Sequence, residues 1–292
     1  MENTSETKGF YEYRTTLRAL SDGVSLMTKN ALMLLKATWP ILLIVSLLGA
    51  WYCQGVTSIT EKLLLGVVLE LSDLGLKIAL PFVILLIGLL CYYALVYSVF
   101  SRYVEKGFMP TLTRKRYQLC PKLTKFVRFF IAFLWVAFVS LVYLAIVIAL
   151  VTVSKWTLVL TIPIGIFLEF WLKNQLTGYV LISDTLFGSI RRSFGLTLKG
   201  FGSFLVVTVV LGLILGVVGM ICLAPSLVSG TIYVKSQISL AEGDNGDLPG
   251  YFMTVYFLAC TLSSFLMLLL EAIEISCWSM VYGAVSTRLK KA

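Results

Sequence analysis

The sequence predicts an all-α integral membrane protein with six transmembrane helices, and with amphipathic helices at the membrane surface before the first and fifth of them. Of its 292 residues, 59% are apolar and only 13% are charged, and the mean hydropathy is +0.92. A soluble core cannot hide so much apolar surface. The apolar residues also form runs close to the roughly 20 residues that a helix needs to cross the hydrocarbon layer.

Six apolar runs define the predicted spans within a single membrane domain, 1–292. They cover about 31–53, 76–100, 127–151, 156–172, 202–224 and 251–282. The fourth is the shortest, and Trp156 and Trp171 at its ends suit the aromatic belts of a membrane. Pro225 directly follows the fifth run and predicts the end of that helix.

A basic amphipathic stretch leads into an apolar run twice, in residues 17–52 and again in 187–223. The first 30 residues therefore form an amphipathic arm. In both copies the apolar side chains recur at helical spacing, at Leu17, Leu20, Val24 and Met27 and at Leu186, Ile190, Phe194 and Leu198. Both copies point the same way, unlike the inverted repeats common in secondary transporters.

The formal charge of +9 indicates orientation rather than nucleic-acid binding, because the cations follow the predicted topology. Lysines and arginines concentrate in the arm, in the second-to-third and fourth-to-fifth connections, and in the tail. The opposite side receives only Lys62, Lys77, Lys155 and Lys235. The positive-inside rule therefore places both termini in the cytoplasm.

The absence of histidine from the sequence excludes histidine metal sites, Ser-His-Asp triads and histidine general bases. Phosphate-binding glycine motifs and paired-cysteine zinc spacings are missing as well. We therefore expect no catalytic residue, no cofactor and no metal site, and the protein is predicted not to be an enzyme.

Three carboxylates stand in apolar surroundings, Glu169, Glu271 and Glu274. An ionisable residue within a span suggests function because its charge is costly to bury. Glu169 precedes Lys173 by four residues, which predicts an ion pair on one helical face near the cytoplasmic boundary.

Glu271 and Glu274 are three residues apart and share one face of the sixth span. The favoured interpretation is a structural ion pair with the cationic segment that carries Arg191 and Arg192. The alternative is a site for a proton or a cationic ligand.

Cations beside the predicted cytoplasmic surface are candidate contacts for anionic lipid headgroups. They are Arg114, Lys115, Arg116, Lys125, Arg128, Arg191 and Arg192. Aromatic residues among cations can also bind single-stranded nucleic acid. Their position next to a span favours lipid instead.

Two further pairs concern packing. Gly212 and Gly216 form a G-x-x-x-G in the fifth span, for which packing within the chain is favoured over dimerisation. Cys53 and Cys222 end the two repeat copies on the predicted outer side, which allows a disulfide between them. Most of the cysteines are interpreted as packing residues.

The stretch Arg18-Ala-Leu-Ser-Asp-Gly-Val-Ser-Leu-Met-Thr-Lys-Asn30 and its echo, Gly188-Ser-Ile-Arg-Arg-Ser-Phe-Gly-Leu-Thr-Leu-Lys-Gly200, each precede an apolar run. This pattern resembles the bacterial six-helix family typified by the membrane domain attached to some glycerophosphodiester phosphodiesterases. The catalytic barrel of those enzymes has no counterpart here, so no catalytic residue is carried over. The resemblance implies an accessory or lipid-associated protein of the bacterial cytoplasmic (inner) membrane.

The sequence therefore predicts a non-enzymatic accessory or scaffold protein. Its basic cytoplasmic face would contact membrane lipids with anionic headgroups, or a partner membrane protein. The alternative is a small transporter or channel with carboxylates near its cytoplasmic mouth.

Overall fold

The computed structural model describes Phe10 and residues 13–106, 123–182, 185–244 and 246–291. Over these residues the protein is all-α, as predicted. The helices are α1 (Thr16–Lys29), α2 (Ala31–Leu64), α3 (Leu80–Lys106), α4 (Leu123–Val153), α5 (Thr157–Ile182), α6 (Leu186–Ala241) and α7 (Phe252–Lys291). A short α-helical turn (Leu71–Asp73) and a π-helical turn (Leu74–Ala79) lead into α3.

Six helices, α2 to α7, are long and apolar enough to cross a membrane, which confirms the predicted fold class. The clearest lipid-facing surface belongs to α4. None of the residues in its most apolar window is buried, and large side chains such as Leu134, Phe138 and Leu141 are exposed. Such a continuous apolar surface requires lipid around it.

Helix α6 is longer than predicted. It runs unbroken for 56 residues, about 84 Å at 1.5 Å per residue, so the amphipathic segment and the fifth span form one helix. The prediction that Pro225 ends this helix is wrong, because Pro225 lies inside it. In apolar surroundings a proline removes one backbone hydrogen bond, whereas a broken helix would leave several groups unpaired.

Other helices also continue beyond the apolar runs that predicted them. Helix α2 ends at Leu64 rather than near residue 53, and α5 ends at Ile182 rather than near residue 172. In α2 the added turns are polar, but Thr57 and Thr60 donate their hydroxyls to carbonyls four residues earlier in the same helix. Polar residues therefore end the apolar run without ending the helix.

The chain divides into two compact units. The first comprises Met1–Ala37, Ala94–Leu211 and Ile273–Ala292, and the second comprises Thr38–Tyr93 and Gly212–Ala272. Helices α2, α3, α6 and α7 each contribute residues to both.

In the first unit, α1 packs against α7. Its N-cap is Thr15, whose hydroxyl accepts a hydrogen bond from the Arg18 amide. The contact needs a glycine, since a Cβ at Gly23 would lie 2.6 Å from the Cα of Cys277. Ser276 donates its hydroxyl to the Gly23 carbonyl at 3.1 Å. The arm is thus held by protein on this face.

The predicted apolar stripe of α1 is divided between two faces. Leu20 and Met27 are buried, whereas Leu17 and Val24 are exposed. The stripe therefore serves both the protein core and an outer surface.

In the second unit, close helix contacts also depend on small residues. A Cβ at Gly49 would lie 2.6 Å from the hydroxyl oxygen of Ser264, and one at Gly88 would lie 3.0 Å from Val45. The buried Tyr92 hydroxyl donates to the Leu268 carbonyl at 2.7 Å. Backbones approach here because glycine leaves room for the facing side chain.

The predicted packing role of Gly212 and Gly216 within the chain is wrong for the part of the chain that the structure describes. A Cβ at either position would meet nothing within 4 Å. The neighbouring Leu213 and Val217 are exposed, because this face of α6 is turned outward. The glycine spacing alone did not show which face meets another helix.

The disulfide suggested between Cys53 and Cys222 is not formed, since both residues are free cysteines. The Cys53 side chain is instead the hydrogen-bond partner of Cys260 on α7. Cys53 and Cys222 occupy corresponding positions in the two repeat copies. This correspondence did not identify the cysteine next to Cys53, because it carries no information on which helices are in contact.

We predict that mild oxidation with copper phenanthroline links Cys53 to Cys260, because their side chains are in contact. Peptide mass spectrometry of the digested protein would identify the linked pair. Cys260→Ser should abolish the link, and a Cys53–Cys222 peptide in the wild type would contradict this helix pairing.

Candidate functional site

A charged cluster forms around Lys173 in the first unit. The Nζ atom of Lys173 lies 2.9 Å from Oε1 of Glu169, one turn earlier in α5, and 3.0 Å from Oε1 of Glu274 in α7. It also lies 5.2 Å from the ring centroid of Trp278, within range of a cation–π interaction. We call Glu169, Lys173, Glu274 and Trp278 the Lys173 cluster.

The predicted pair of Glu169 with Lys173 is confirmed. Glu274 also forms an ion pair, but its partner is Lys173, so the expected pairing with Arg191 and Arg192 is wrong for Glu274. Both arginines are exposed on α6. The sequence showed which carboxylates needed a cation but not which helix would supply it.

Glu271 belongs to the second unit. It lines a cavity of about 290 Å³ together with Gly49, Tyr93, Ser264 and other residues of α2, α3, α6 and α7. Glu271 is therefore not part of the Lys173 cluster.

A cleft of about 300 Å³ lies between α4 and α5 beside the Lys173 cluster. Ser140, Tyr143 and Gly165 line it together with Glu169 and Lys173. Gly165 allows the close approach of α4, because a Cβ there would lie 2.7 Å from the Tyr143 hydroxyl. That hydroxyl donates to the Thr161 carbonyl at 2.6 Å. Glu169 and Lys173 are the charged residues that line the cleft, and their formal charges cancel.

Next to the cluster, fully buried polar side chains join three helices. Asn174 of α5 donates its amide to the Thr197 hydroxyl of α6 at 3.0 Å. Its carbonyl accepts a hydrogen bond from the Trp278 indole of α7 at 3.1 Å. The Ser189 hydroxyl of α6 donates to the backbone carbonyl of Gln175 at 3.1 Å. We call this set the polar junction.

Further polar atoms are buried near this level of the three helices. Among the described residues, the side-chain amide of Gln175 and the hydroxyls of Ser193 and Ser279 have no hydrogen-bond partner. Sequence reasoning missed both Asn174 and Gln175. The signal is the polar run Lys173-Asn174-Gln175, which directly follows the predicted fourth span at 156–172.

The start of α6 places its small polar residues inward and its large apolar residues outward. Ser189, Ser193 and Thr197 are buried, at intervals of four residues, whereas Phe187 is 80% exposed and Leu198 is 56% exposed. The exposed face also carries Arg191, Arg192 and Lys199. We call Phe187, Arg191, Arg192, Phe194, Leu198 and Lys199 the outer face of α6.

Lys125 is buried in protein, so its predicted role as a lipid contact is wrong. Lys125 is only 5% exposed and donates to the carbonyls of Val180 and Leu181 at 3.0 and 3.4 Å. These carbonyls belong to the last turn of α5, which attracts cations. The Arg128 guanidinium lies 5.6 Å from the ring centroid of Tyr179. Arg128 is half-buried, and its lipid contact stays a prediction.

The basic segment with Arg114, Lys115 and Arg116 lies outside the described residues. Among the predicted lipid contacts, Arg191 and Arg192 are the ones that the structure places on an exposed face.

Comparison of the chain with protein-family models, with curated proteins and with solved structures yields no match. The resemblance to the six-helix family therefore stays an expectation from the sequence.

We predict that Asn174→Ala lowers the thermal unfolding temperature in detergent. It leaves the buried Trp278 indole and Thr197 hydroxyl without their partner, and each unpaired group costs about 1–3 kcal/mol. Thr152→Ala is the control, because Thr152 is exposed and bonds only within its own helix. Unfolding of Asn174→Ala at the wild-type temperature would show that the polar junction does not stabilise the fold.

We also predict that Lys173→Met is less stable than the double variant Lys173→Met/Glu274→Gln. The single change leaves Glu274 charged without its cation, and the second change removes that charge. The Lys173 side chain is 37% exposed, so the difference is expected to be only about 1 kcal/mol. Thermal unfolding in the same detergent measures it, and equal stability of the two variants would argue against an energetic role for this ion pair.

Proposed function

We propose that the protein is a non-enzymatic accessory or scaffold protein of a bacterial cytoplasmic membrane. Its basic surface contacts anionic lipid headgroups. The observation that carries this proposal is the outer face of α6. The distribution of lysine and arginine supports a cytoplasmic location for this surface and for both termini.

The side chains of this face suit a lipid interface better than water. Phe187 and Leu198 are exposed although they are large and apolar, and Arg191 and Lys199 are exposed on the same stretch of helix. A helix at a bilayer surface places apolar side chains among acyl chains and cations among anionic headgroups. Both requirements are met by residues 187–199.

Helix α1 extends the argument to the first repeat copy. Arg18 and Lys29 are exposed on α1, as are Leu17 and Val24. The opposite face is fixed on α7 through Gly23. An arm held in this way presents its cations without a further ordering step, which favours surface binding.

The Lys173 cluster supports a scaffold more than a transporter. The alternative of a transporter with carboxylates at its mouth needs carboxylates that can exchange a proton or a cation, whereas Glu169 and Glu274 both bind Lys173. A partner membrane protein remains part of the proposal, since an accessory protein needs one.

We predict that Arg191→Gln/Arg192→Gln/Lys199→Gln weakens the preference for anionic lipid roughly a hundredfold, because each of the three cations near an anionic surface contributes about 1 kcal/mol. The protein would be placed in nanodiscs containing equal amounts of phosphatidylglycerol and phosphatidylcholine. Native mass spectrometry of the released protein then measures the ratio of the two bound lipids.

Lys155→Gln is the matched control, since Lys155 is exposed in the turn between α4 and α5, away from this face in sequence and predicted on the other side. It should keep the wild-type ratio. An unchanged ratio in the triple variant would refute lipid binding by the outer face of α6.

A further inference from the structure

The second unit contains an elongated groove of about 570 Å³ between α2, α6 and α7. Its lining includes Val56 and Thr60 of α2, Leu227, Val234 and Lys235 of α6, and Tyr256 of α7. We call this cavity the α2–α6–α7 groove.

Helices α2 and α6 run in parallel along the groove. Tyr256 lies beside both Thr57 and Gly230, and further on Tyr233 hydrogen-bonds Glu61. The lining extends from Tyr52 to Leu64 on α2, a length of about 18 Å at 1.5 Å per residue. A groove of this length suits an extended chain better than a compact solute.

The walls of the groove offer few polar atoms to a ligand. Thr60 donates its hydroxyl to the Val56 carbonyl at 2.9 Å, and Thr231 donates to the Leu227 carbonyl at 2.8 Å. The Tyr256 hydroxyl is bonded to Thr57 at 2.5 Å, and its ring stacks on Tyr233 with centroids 6.4 Å apart. These three threonines and Tyr256 thus bond within the protein, and most of the other lining residues are apolar.

One exposed cation, Lys235, also lines the groove. It stands one helical turn from Ile238 and one residue from Val234, so an ammonium adjoins the apolar surface. An amphiphile with a hydrocarbon chain and an anionic head complements both features.

We propose that the α2–α6–α7 groove binds one acyl chain of an anionic membrane phospholipid, whose phosphate contacts Lys235. This site is separate from the outer face of α6, which belongs to the first unit. Helix α6 thus carries two different lipid-binding surfaces.

The test uses the triple variant Arg191→Gln/Arg192→Gln/Lys199→Gln as its background, so that lipid bound by the outer face of α6 does not contribute. Nanodiscs with equal phosphatidylglycerol and phosphatidylcholine supply the probe lipids, and native mass spectrometry counts the lipids retained per chain. The background protein should retain one phosphatidylglycerol. Adding Lys235→Gln should weaken its retention about fivefold relative to phosphatidylcholine.

Val234→Trp, in the same background, should prevent retention because the indole would occupy the groove. Its matched control is Val228→Trp, since Val228 is exposed on α6 and does not line the groove. Gly230→Leu is a second filling variant, in case Val234→Trp does not fold. Thermal unfolding temperatures identify the folded variants.

Retention of one phosphatidylglycerol by a folded filling variant would overturn the proposed site. An unchanged lipid ratio in Lys235→Gln would overturn the role of the phosphate. These variants are measured in a background that lacks the outer-face cations. Failure of the groove proposal would therefore leave the proposed function standing, and failure of the proposed function would leave the groove proposal standing.

Discussion

The requirement that every backbone amide and carbonyl in lipid be hydrogen-bonded governs this structure. Helices satisfy it internally, and the described chain is accordingly almost entirely helical. Pro225 does not end α6, and the polar run that begins at Lys173 does not end α5. Leaving the helix would cost several backbone hydrogen bonds, whereas one proline costs one. Helices α2, α5 and α6 extend beyond the apolar runs that are long enough to cross a membrane.

A second consequence concerns how the helices are held together. Lipid chains are as apolar as leucine, so helix association in a membrane relies on close packing and on hydrogen bonds. Gly23 and Gly49 bring helices into close contact, and Asn174 links α5 to α6 and α7 through two side-chain hydrogen bonds. A soluble protein would hold comparable helices mainly by burying large apolar side chains.

Hydropathy was sufficient to predict six spans, because crossing the bilayer depends on composition and length alone. Contacts between helices could not be predicted in the same way. The sequence identified Glu274 as a carboxylate needing a cation and Cys53 as a cysteine with a possible partner. Their actual neighbours, Lys173 and Cys260, lie on helices distant in sequence. Only the three-dimensional packing brings them together.

The proposed lipid contacts depend on which face of α6 is turned toward the protein core. The apolar spacing of residues 186–198 predicted an amphipathic helix without showing which face the core would take. In the structure the core takes the small polar face, because Ser189 and Thr197 bond to α5. Large apolar side chains and the arginines are consequently left outside. Lys125, by contrast, is used to bind the end of α5. The hydrogen bonds that hold the first unit together therefore also determine which face of α6 is exposed.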